Sequence, residues 1–569
     1  MPSLEFKGKQ FIYTHHLGVP FRTLEIDPTR SLPRDGTPSL DDNLIIQGDN
    51  LHALKALLPT YAGKVKCIYI DPPYNTGNEG WCYNDRVNAP LMREWLKKEA
   101  NPVDKEDLER HDKWLCMLWP RLQLLRELLS SEGAIWISID DNEKSNIIGL
   151  CNEIFGEGNF VACLTIRANP RGRQSDQYFA TVHDYLICYA KNKLLLELNG
   201  LPLTDEDIED FDQVDPNGER WRELGLRQRG SASLREERPE MYFPIYVNPK
   251  DGSISLTETD TYTEQVLPRK SDGRDGRWMW GRQKVEQEIQ RVYARMVSGR
   301  NEFDVFIKDY LSRADGIRTS KPKTMWVDKD VNTESGGKLL KSIMGVKTFD
   351  YPKPVGLIQK VLQITTSEND IVLDSFAGSG TTAHAVLTLN KDGGNRKFIL
   401  VEMENYADRL TAERVRRVIS GVPNAKDAVL KGGLGGSFTY CTLGEEINIA
   451  SLLRGESVPS YEALARYVFY TATGKTLGDL PKLRRDWFIG ETDLYTVHLI
   501  YQPDREFLRS QDAALNAEMV DIIADGKGKK AVKKALVFAA VKFMGQKELT
   551  ERNIEFCQLP YAIHRILGD

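Results

Sequence analysis

The chain has 569 residues, 41% of them hydrophobic and 28% charged, with a formal net charge of −6. That length allows more than one domain and a large core, and the mild acidity makes any contact with nucleic acid a matter of local basic surface. No run of eighteen apolar residues occurs and the N-terminus MPSLEFKGKQFIYTHH has no apolar signal core, so neither a membrane partner nor secretion is expected, and a cytoplasmic location is. The eight cysteines are scattered without a CxxC pair, which argues against a zinc site and against a disulfide framework; no metal is expected.

Residues 1–42 read as an N-terminal extension. From 43 to 70, NLIIQGDNLHALKALLPTYAGKVKCIYI alternates strand, helix and strand. The first strand ends at Gly48-Asp49 and the second runs into Asp71-Pro72-Pro73-Tyr74. Residues 113–139 repeat the scheme, with KWLCMLWPRLQLLRELL at helical spacing and GAIWISI as a strand ending in DDNE. Past residue 350 it returns: VGLIQKVLQITT is helical, IVLDSF a strand, GSGTTAHAVLTLN a loop and helix, and KFILVEMEN a strand. Strands separated by helices of this length imply a doubly wound, mostly parallel α/β sheet. Ligands on such sheets sit at the carboxyl ends of strands, where each motif falls.

Between 193 and 345 the texture changes to short runs rich in Arg, Trp, Tyr, Gly and Pro, which read as an inserted mixed α+β domain. Residues 43–192 and 346–435 then form two halves of the sheet domain, and 436–569 a C-terminal α/β extension.

In IVLDSFAGSGTT a strand ends at Asp374, glycines stand at 378 and 380, and a helix follows. Such glycines let a ligand approach the backbone, and a helix N-terminus offers free N–H groups. A plain strand-to-helix turn explains the same residues. No Lys precedes the threonines, which speaks against a nucleotide-phosphate loop; Ala383 in the third glycine slot leaves a dinucleotide open. Glu402 ends the next strand, where a carboxylate is placed to accept ribose hydroxyls, so loop and acid together favour an adenosine-type cofactor.

DPPY solves a particular problem, that of gripping a flat base through its exocyclic amino group. Asp71 accepts one amino hydrogen. The Pro72 carbonyl, kept out of a helix by Pro73, accepts the other, and Tyr74 offers a ring face for stacking. Two acceptors draw the nitrogen lone pair out of conjugation and aim it outward, so positioning and electrostatics replace a conventional base. The alternative is a Pro-Pro turn with a chance acid.

Taken together, DPPYNTGNEGWCYND, WISIDDNE, VHDYLICYAKN, FDYPKPVGLI and DSFAGSGTTAHAV, in that order, resemble the DNA adenine-N6 methyltransferases in which DPPY precedes FxGxG, above all the modification subunits of type III restriction-modification systems. The likeness covers roughly residues 8–420. It implies a sheet of the S-adenosylmethionine-dependent methyltransferase type, circularly permuted, with Asp374 ending its first strand, Glu402 the second, Asp49 the third and Asp71 the fourth. It implies S-adenosyl-L-methionine as cofactor. Phe376, Gly378 and Gly380 would line its methionine end beside Thr381 and Thr382, Glu402 would hold the ribose, Asp49 the adenine edge, and Lys353 and Pro354 would close over the methionine moiety.

It further implies duplex DNA as substrate, read by base flipping, a homodimer, and a helicase-nuclease restriction subunit as partner. Asp71, where cytosine-N4 relatives carry Ser, favours adenine. Cytosine-N4 or RNA methylation, or a silent DNA-recognition subunit, are the alternatives. The loop from Asn75 to Asp85, with Trp81 and Tyr83, is a candidate wedge or a plain surface loop. Residues 193–345 would be the target-recognition domain. Arg220, Arg222, Arg227 and Arg229 stand in a stretch shared with glutamates, so either a DNA surface or a salt-bridged solvated face fits. Arg171 and Arg173 are candidate phosphate contacts. His183 lies on an apolar strand and reads as structural.

Overall fold

The computed structural model describes residues 3–33, 36–76, 110–172, 178–299, 301–313, 316–391, 393–447, 458–526 and 533–559. Two compact units emerge, residues 1–199 with 323–569, and Gly200–Pro322.

A ten-stranded sheet forms the first unit's centre. Its strands are β1 (Arg22–Ile26), β2 (Leu44–Gln47), β3 (Val65–Ile70), β4 (Leu129–Ile139), β5 (Phe160–Ile166), β6 (Asp184–Ala190), β7 (Met325–Trp326), β8 (Ile371–Asp374), β9 (Lys397–Glu402) and β10 (Thr439–Glu446). Their order across the sheet is β1-β10-β2-β9-β8-β3-β4-β6-β5-β7. The six strands from β10 to β4 are all parallel, while β6 runs antiparallel between β4 and β5. VKCIYI and KFILVE are almost continuously apolar because helices cover both faces of a parallel sheet.

The helices that matter for the site are α1 (Asn50–Tyr61), α2 (Arg110–Leu128), α3 (Lys144–Phe155), α4 (Thr333–Met344), α5 (Val355–Thr365), α6 (Thr381–Asn390) and α7 (Glu413–Ser420). A π-helical segment, Ala407–Ala412, runs directly into α7. The order β2-β9-β8-β3 interleaves the two halves of the chain, with β8, β9, β2 and β3 as first to fourth strands. This is the permuted α/β sheet expected.

The inserted unit, Gly200–Pro322, is narrower than the expected 193–345. Residues 323–345 instead supply β7, which pairs with β5, and α4. The insert has its own apolar core around Trp278, Val305 and Ile307 and a four-stranded antiparallel sheet built on Glu302–Tyr310 and Arg220–Gly225. Its chain leaves and returns through one short ladder, Leu201 opposite Ser320 and Pro202 opposite Thr319.

The flanking regions are not appendages. β1, from the N-terminal extension, pairs with β10, and β10 covers the edge of β2 that would otherwise be open. The helix Tyr461–Thr473 shares the main core: the Tyr467 ring lies 4.9 Å from Phe21, and the Tyr470 hydroxyl donates to Glu127 Oε2 at 2.9 Å. Beyond it, strands Phe488–Glu491, Tyr495–Leu499, Lys534–Ala539 and Ile554–Gln558 form a second, mostly parallel sheet. Among the described residues, no helix is long and apolar enough to cross a membrane.

Candidate active site

Two corners at neighbouring strand ends build the site. At the end of β8, Asp374 Oδ1 accepts the Phe376 N–H at 3.0 Å and Oδ2 accepts the Thr382 hydroxyl at 2.6 Å, which folds the loop tightly back onto α6. Gly378 and Gly380 have φ of +51° and +78°. A Cβ on Gly380 would lie 3.1 Å from the Thr411 carbonyl, and one on Gly378 would lie 3.4 Å from the Phe349 ring. Glu402, at the end of β9, accepts the Gly378 N–H at 2.7 Å through Oε2 and the Glu404 N–H at 3.0 Å through Oε1. The carboxylate also lines the cleft, where a ligand hydroxyl can reach it.

Behind this loop stand residues that the sequence reading missed. The Thr411 hydroxyl donates to the Gly378 carbonyl at 2.6 Å. Arg414, wholly buried, donates to Ser379 Oγ at 2.9 Å and Thr381 Oγ1 at 2.8 Å, and burial lowers its pKa to about 9. Both come from the π-helical segment and the turn after it, a backbone feature frequent at functional sites and without a sequence signature.

At the end of β3, the Lys353 ammonium lies 2.7 Å from each carboxylate oxygen of Asp71. The Lys353 carbonyl accepts the Thr381 hydroxyl at 3.2 Å, so one residue ties both corners together, while buried Pro354 precedes α5. Pro72 is buried, and the Pro73 carbonyl accepts the Trp114 indole N–H at 2.7 Å. Tyr74, expected to present a ring face, packs against the main core with the Lys353 ammonium 4.8 Å from its ring centroid. Its phenol is pushed up by burial.

Between the corners lies a cleft of about 640 Å³, lined by Asp71 and Pro73 on one side and by Asp374, Phe376, Gly378 and Glu402 on the other. Thr381, Thr382 and Lys353 also face it. Asp49 does not: its carboxylate caps α1, accepting the Leu51 and His52 N–H groups at 2.9 and 3.3 Å, and lies 3.7 Å from Arg121. Asn50 takes the place facing the cleft, its amide donating to the Ser375 carbonyl at 3.1 Å.

Burial pushes the Asp374 and Glu402 carboxyls up to about 7. Four carboxylates line the cleft, Asp71, Asp374, Glu402 and the exposed Glu404, against two cations, Lys353 and Arg121. This excess of acid suits a ligand that brings positive charge and ribose hydroxyls, and it repels a pyrophosphate. The residues therefore fit S-adenosylmethionine and not a dinucleotide, the point that the glycine spacing alone left open.

The expected DNA contacts divide. Trp81, Tyr83 and Arg173 lie outside the described residues. Asn75 is a correction. It is fully buried, with φ of +58°, and donates to Glu143 Oε1; Glu143 also holds His111 at 2.5 Å and Asn146 at 2.6 Å. A buried carboxylate needs such partners, so Asn75 serves the scaffold rather than DNA. Arg171 is exposed and lines a second cleft of about 600 Å³.

In the insert, Arg220 donates to the Phe211 carbonyl at 2.9 Å. Arg222 pairs with Asp309 at 3.1 Å and Arg227 with Asp304 at 3.6 Å. Arg229 is exposed. The salt-bridged reading thus describes Arg222 and Arg227, while Arg220 is held by the Phe211 and Ile208 carbonyls. His183 bonds the Tyr185 hydroxyl at 2.9 Å, consistent with a structural role.

Sheet order and cleft together define an α/β enzyme of the methyltransferase class. The family model described as DNA methylase matches residues 65–413, more than half of the chain, and the protein belongs to that family. It is similar to the Mod subunit of the type III restriction-modification enzyme EcoPI from Escherichia phage P1, with 35% identity over 421 residues, covering 72% of this chain and 64% of that one. It is similar also to the type II methyltransferase M.KpnI of Klebsiella pneumoniae, with 34% identity over 371 residues, 65% of this chain and 82% of the relative. The StyLTI Mod subunit of Salmonella typhimurium is 30% identical over 405 residues, covering 67% of this chain and 57% of that one. The chain thus spans less than two thirds of the length of these two Mod subunits.

Proposed function

We propose that the protein is a site-specific DNA methyltransferase that transfers the methyl group of S-adenosylmethionine to N6 of adenine in duplex DNA, as the modification subunit of a restriction-modification system. The observation that carries this reading is the placement of Asp71 and the Gly378 loop at adjacent strand ends, across one acidic cleft and tied through Lys353.

S-adenosylmethionine supplies an electrophilic methyl group on a sulfonium. The chain's residues do the rest. Glu402 holds the ribose hydroxyls, while the loop at Phe376, Gly378 and Gly380, backed by Thr381 and Thr382, seats the methionine end. Asp71 and the Pro72 carbonyl accept the two amino hydrogens and fix the direction of the nitrogen lone pair, so orientation lowers the barrier without a strong base. As the N–CH3 bond forms the S–CH3 bond breaks, the neutral thioether leaves, and the surplus amino proton passes through the hydrogen bond to Asp71 and on to water. The Lys353 ammonium, now on Asp71, yields at least part of that contact when an amino group arrives. A base inside a duplex cannot reach the cleft, so the target must be flipped out, at a cost of a few kcal/mol.

The DNA-methylase family supports DNA, the names of two relatives support a modification subunit, and Asp71 at the head of DPPY favours adenine. The same reading gives a homodimer working beside a helicase-nuclease subunit that cuts unmodified DNA. The test is transfer of a labelled methyl group to DNA and to RNA, followed by nucleoside analysis. N6-methyladenine from DNA is the expected product. N4-methylcytosine, or label confined to RNA, overturns the proposal.

A further inference from the structure

The segment joining α4 to α5 is anchored on both sides of Tyr351. Phe349 lies against Gly378 and makes an edge contact with Tyr406, ring centroids 5.7 Å apart. Pro352 is buried, and Lys353 holds Asp71. Between these anchors Tyr351 turns outward, with φ of +55° and 81% of its surface exposed.

Both features are unfavourable in the absence of a ligand. Positive φ suits glycine or asparagine, and a large ring in water forgoes burial. A strained backbone and an idle aromatic at the same residue, on the rim of an active-site cleft, point to a contact made only with substrate. Phe349, Tyr351 and Pro352 line both the transfer cleft and the second cleft. The second cleft carries Arg171, Lys338, Lys341 and Lys347 beside Asp184, Glu334 and Asp350, with Glu334 holding Lys338 and Asp350 holding Lys347, each at 2.6 Å. The ring of the DPPY corner cannot take the outer position, because Tyr74 is packed against the core under the Lys353 ammonium.

We propose that Tyr351 is a substrate-contacting residue that stacks on the target base as it leaves the duplex and enters the cleft beside Asp71. The inference rests on the DNA-methyltransferase reading and deepens it. Every base has a π face, so this contact supports extrusion without reading sequence.

The test uses the full chain and a duplex with 2-aminopurine at the target position, located by sequencing the bases that the wild type methylates. Tyr351→Gly keeps the backbone turn and removes the ring. It is expected to raise the KM for DNA about tenfold or more, to lose most of the fluorescence rise that reports extrusion, and to leave S-adenosylhomocysteine affinity within about twofold. Tyr351→Phe is expected to rescue both DNA readouts. Should Tyr351→Gly lower the melting temperature, Tyr351→Asn, which also tolerates positive φ, replaces it. A glycine variant that extrudes the base and binds DNA like the wild type overturns this inference alone. A wild type that transfers no methyl group to DNA overturns the enzyme reading, and this inference with it.

Discussion

The strand-end cleft and the inserted unit use charge in opposite ways. In the cleft, Asp71, Asp374 and Glu402 crowd into a partly desolvated space with only Lys353, on Asp71, and Arg121, 3.7 Å from Asp49, to meet them, an excess of acid that a cationic ligand offsets. In the insert, Asp309 holds both Arg222, at 3.1 Å, and Arg318, at 2.5 Å, while Glu223 holds Arg295 at 2.7 Å, and these charges are already matched within the unit. The difference teaches that an imbalance of buried charge marks a binding site, whereas a high count of arginines marks one only when their partners are known.

The sharpest break of this comparison is at Asp71. Asp71→Ala is expected to lower methyl transfer by about 10²–10³-fold or more, the scale for removing a preorganised polar contact to the reacting group, while DNA retention in a filter assay stays within about threefold. Transfer surviving at wild-type rate contradicts the assignment. Next in size is Gly380→Ala. Its φ of +78° and the Thr411 carbonyl 3.1 Å from the added Cβ should lower cofactor affinity about tenfold, with a loss of roughly 1–2 kcal/mol in stability, both readable by calorimetry and melting.

The acidic character of the cleft is tested by pH. Asp374 and Glu402 sit near 7 in the fold, above the ordinary carboxylate value of about 4. Their contribution to stability is therefore full below about pH 4 and is lost as pH rises through 7. A cationic ligand needs the ionised forms, so the affinity of an amine-bearing cofactor analogue should rise several-fold between pH 6 and 8, and that of the uncharged thioether product should rise less. Equal pH profiles for the two ligands would remove the electrostatic argument.

Smallest is the contrast within the insert. Arg222→Ala should cost about 1–2 kcal/mol through the loss of a charge-assisted hydrogen bond to Asp309, and Arg229→Ala should leave the melting temperature unchanged within about 1 °C. If Arg229→Ala weakens DNA binding and Arg222→Ala does not beyond its effect on folding, the division between structural and outward arginines holds.

Much of the cleft was legible because the evidence for it is local. A strand, a turn and the residues of that turn are neighbours in sequence, and a parallel sheet gathers strand ends on one side. That sufficed for Asp71, Asp374, Gly378, Gly380 and Glu402. It failed by one residue at the end of β2, where a helix start required a cap: Asp49 became that cap and Asn50 faced the cleft. Thr411 and Arg414 escaped because a π-helical turn leaves no pattern in composition. The pairing of Lys353 with Asp71, 282 residues apart, was foreseen only as proximity to the cofactor. The arginines of the insert were ambiguous because their partners, Asp304 and Asp309, lie some eighty residues downstream.

The interleaving of the halves also sets a timetable. β3 ends at Ile70, and its neighbour β8 begins at Ile371, so an apolar strand edge waits for about 300 further residues to be made, roughly 15–60 s at ordinary rates of translation. Until then the nascent sheet carries an open seam in the middle of its future core, and holding that seam away from other chains is a demand that the final, closed architecture no longer reveals.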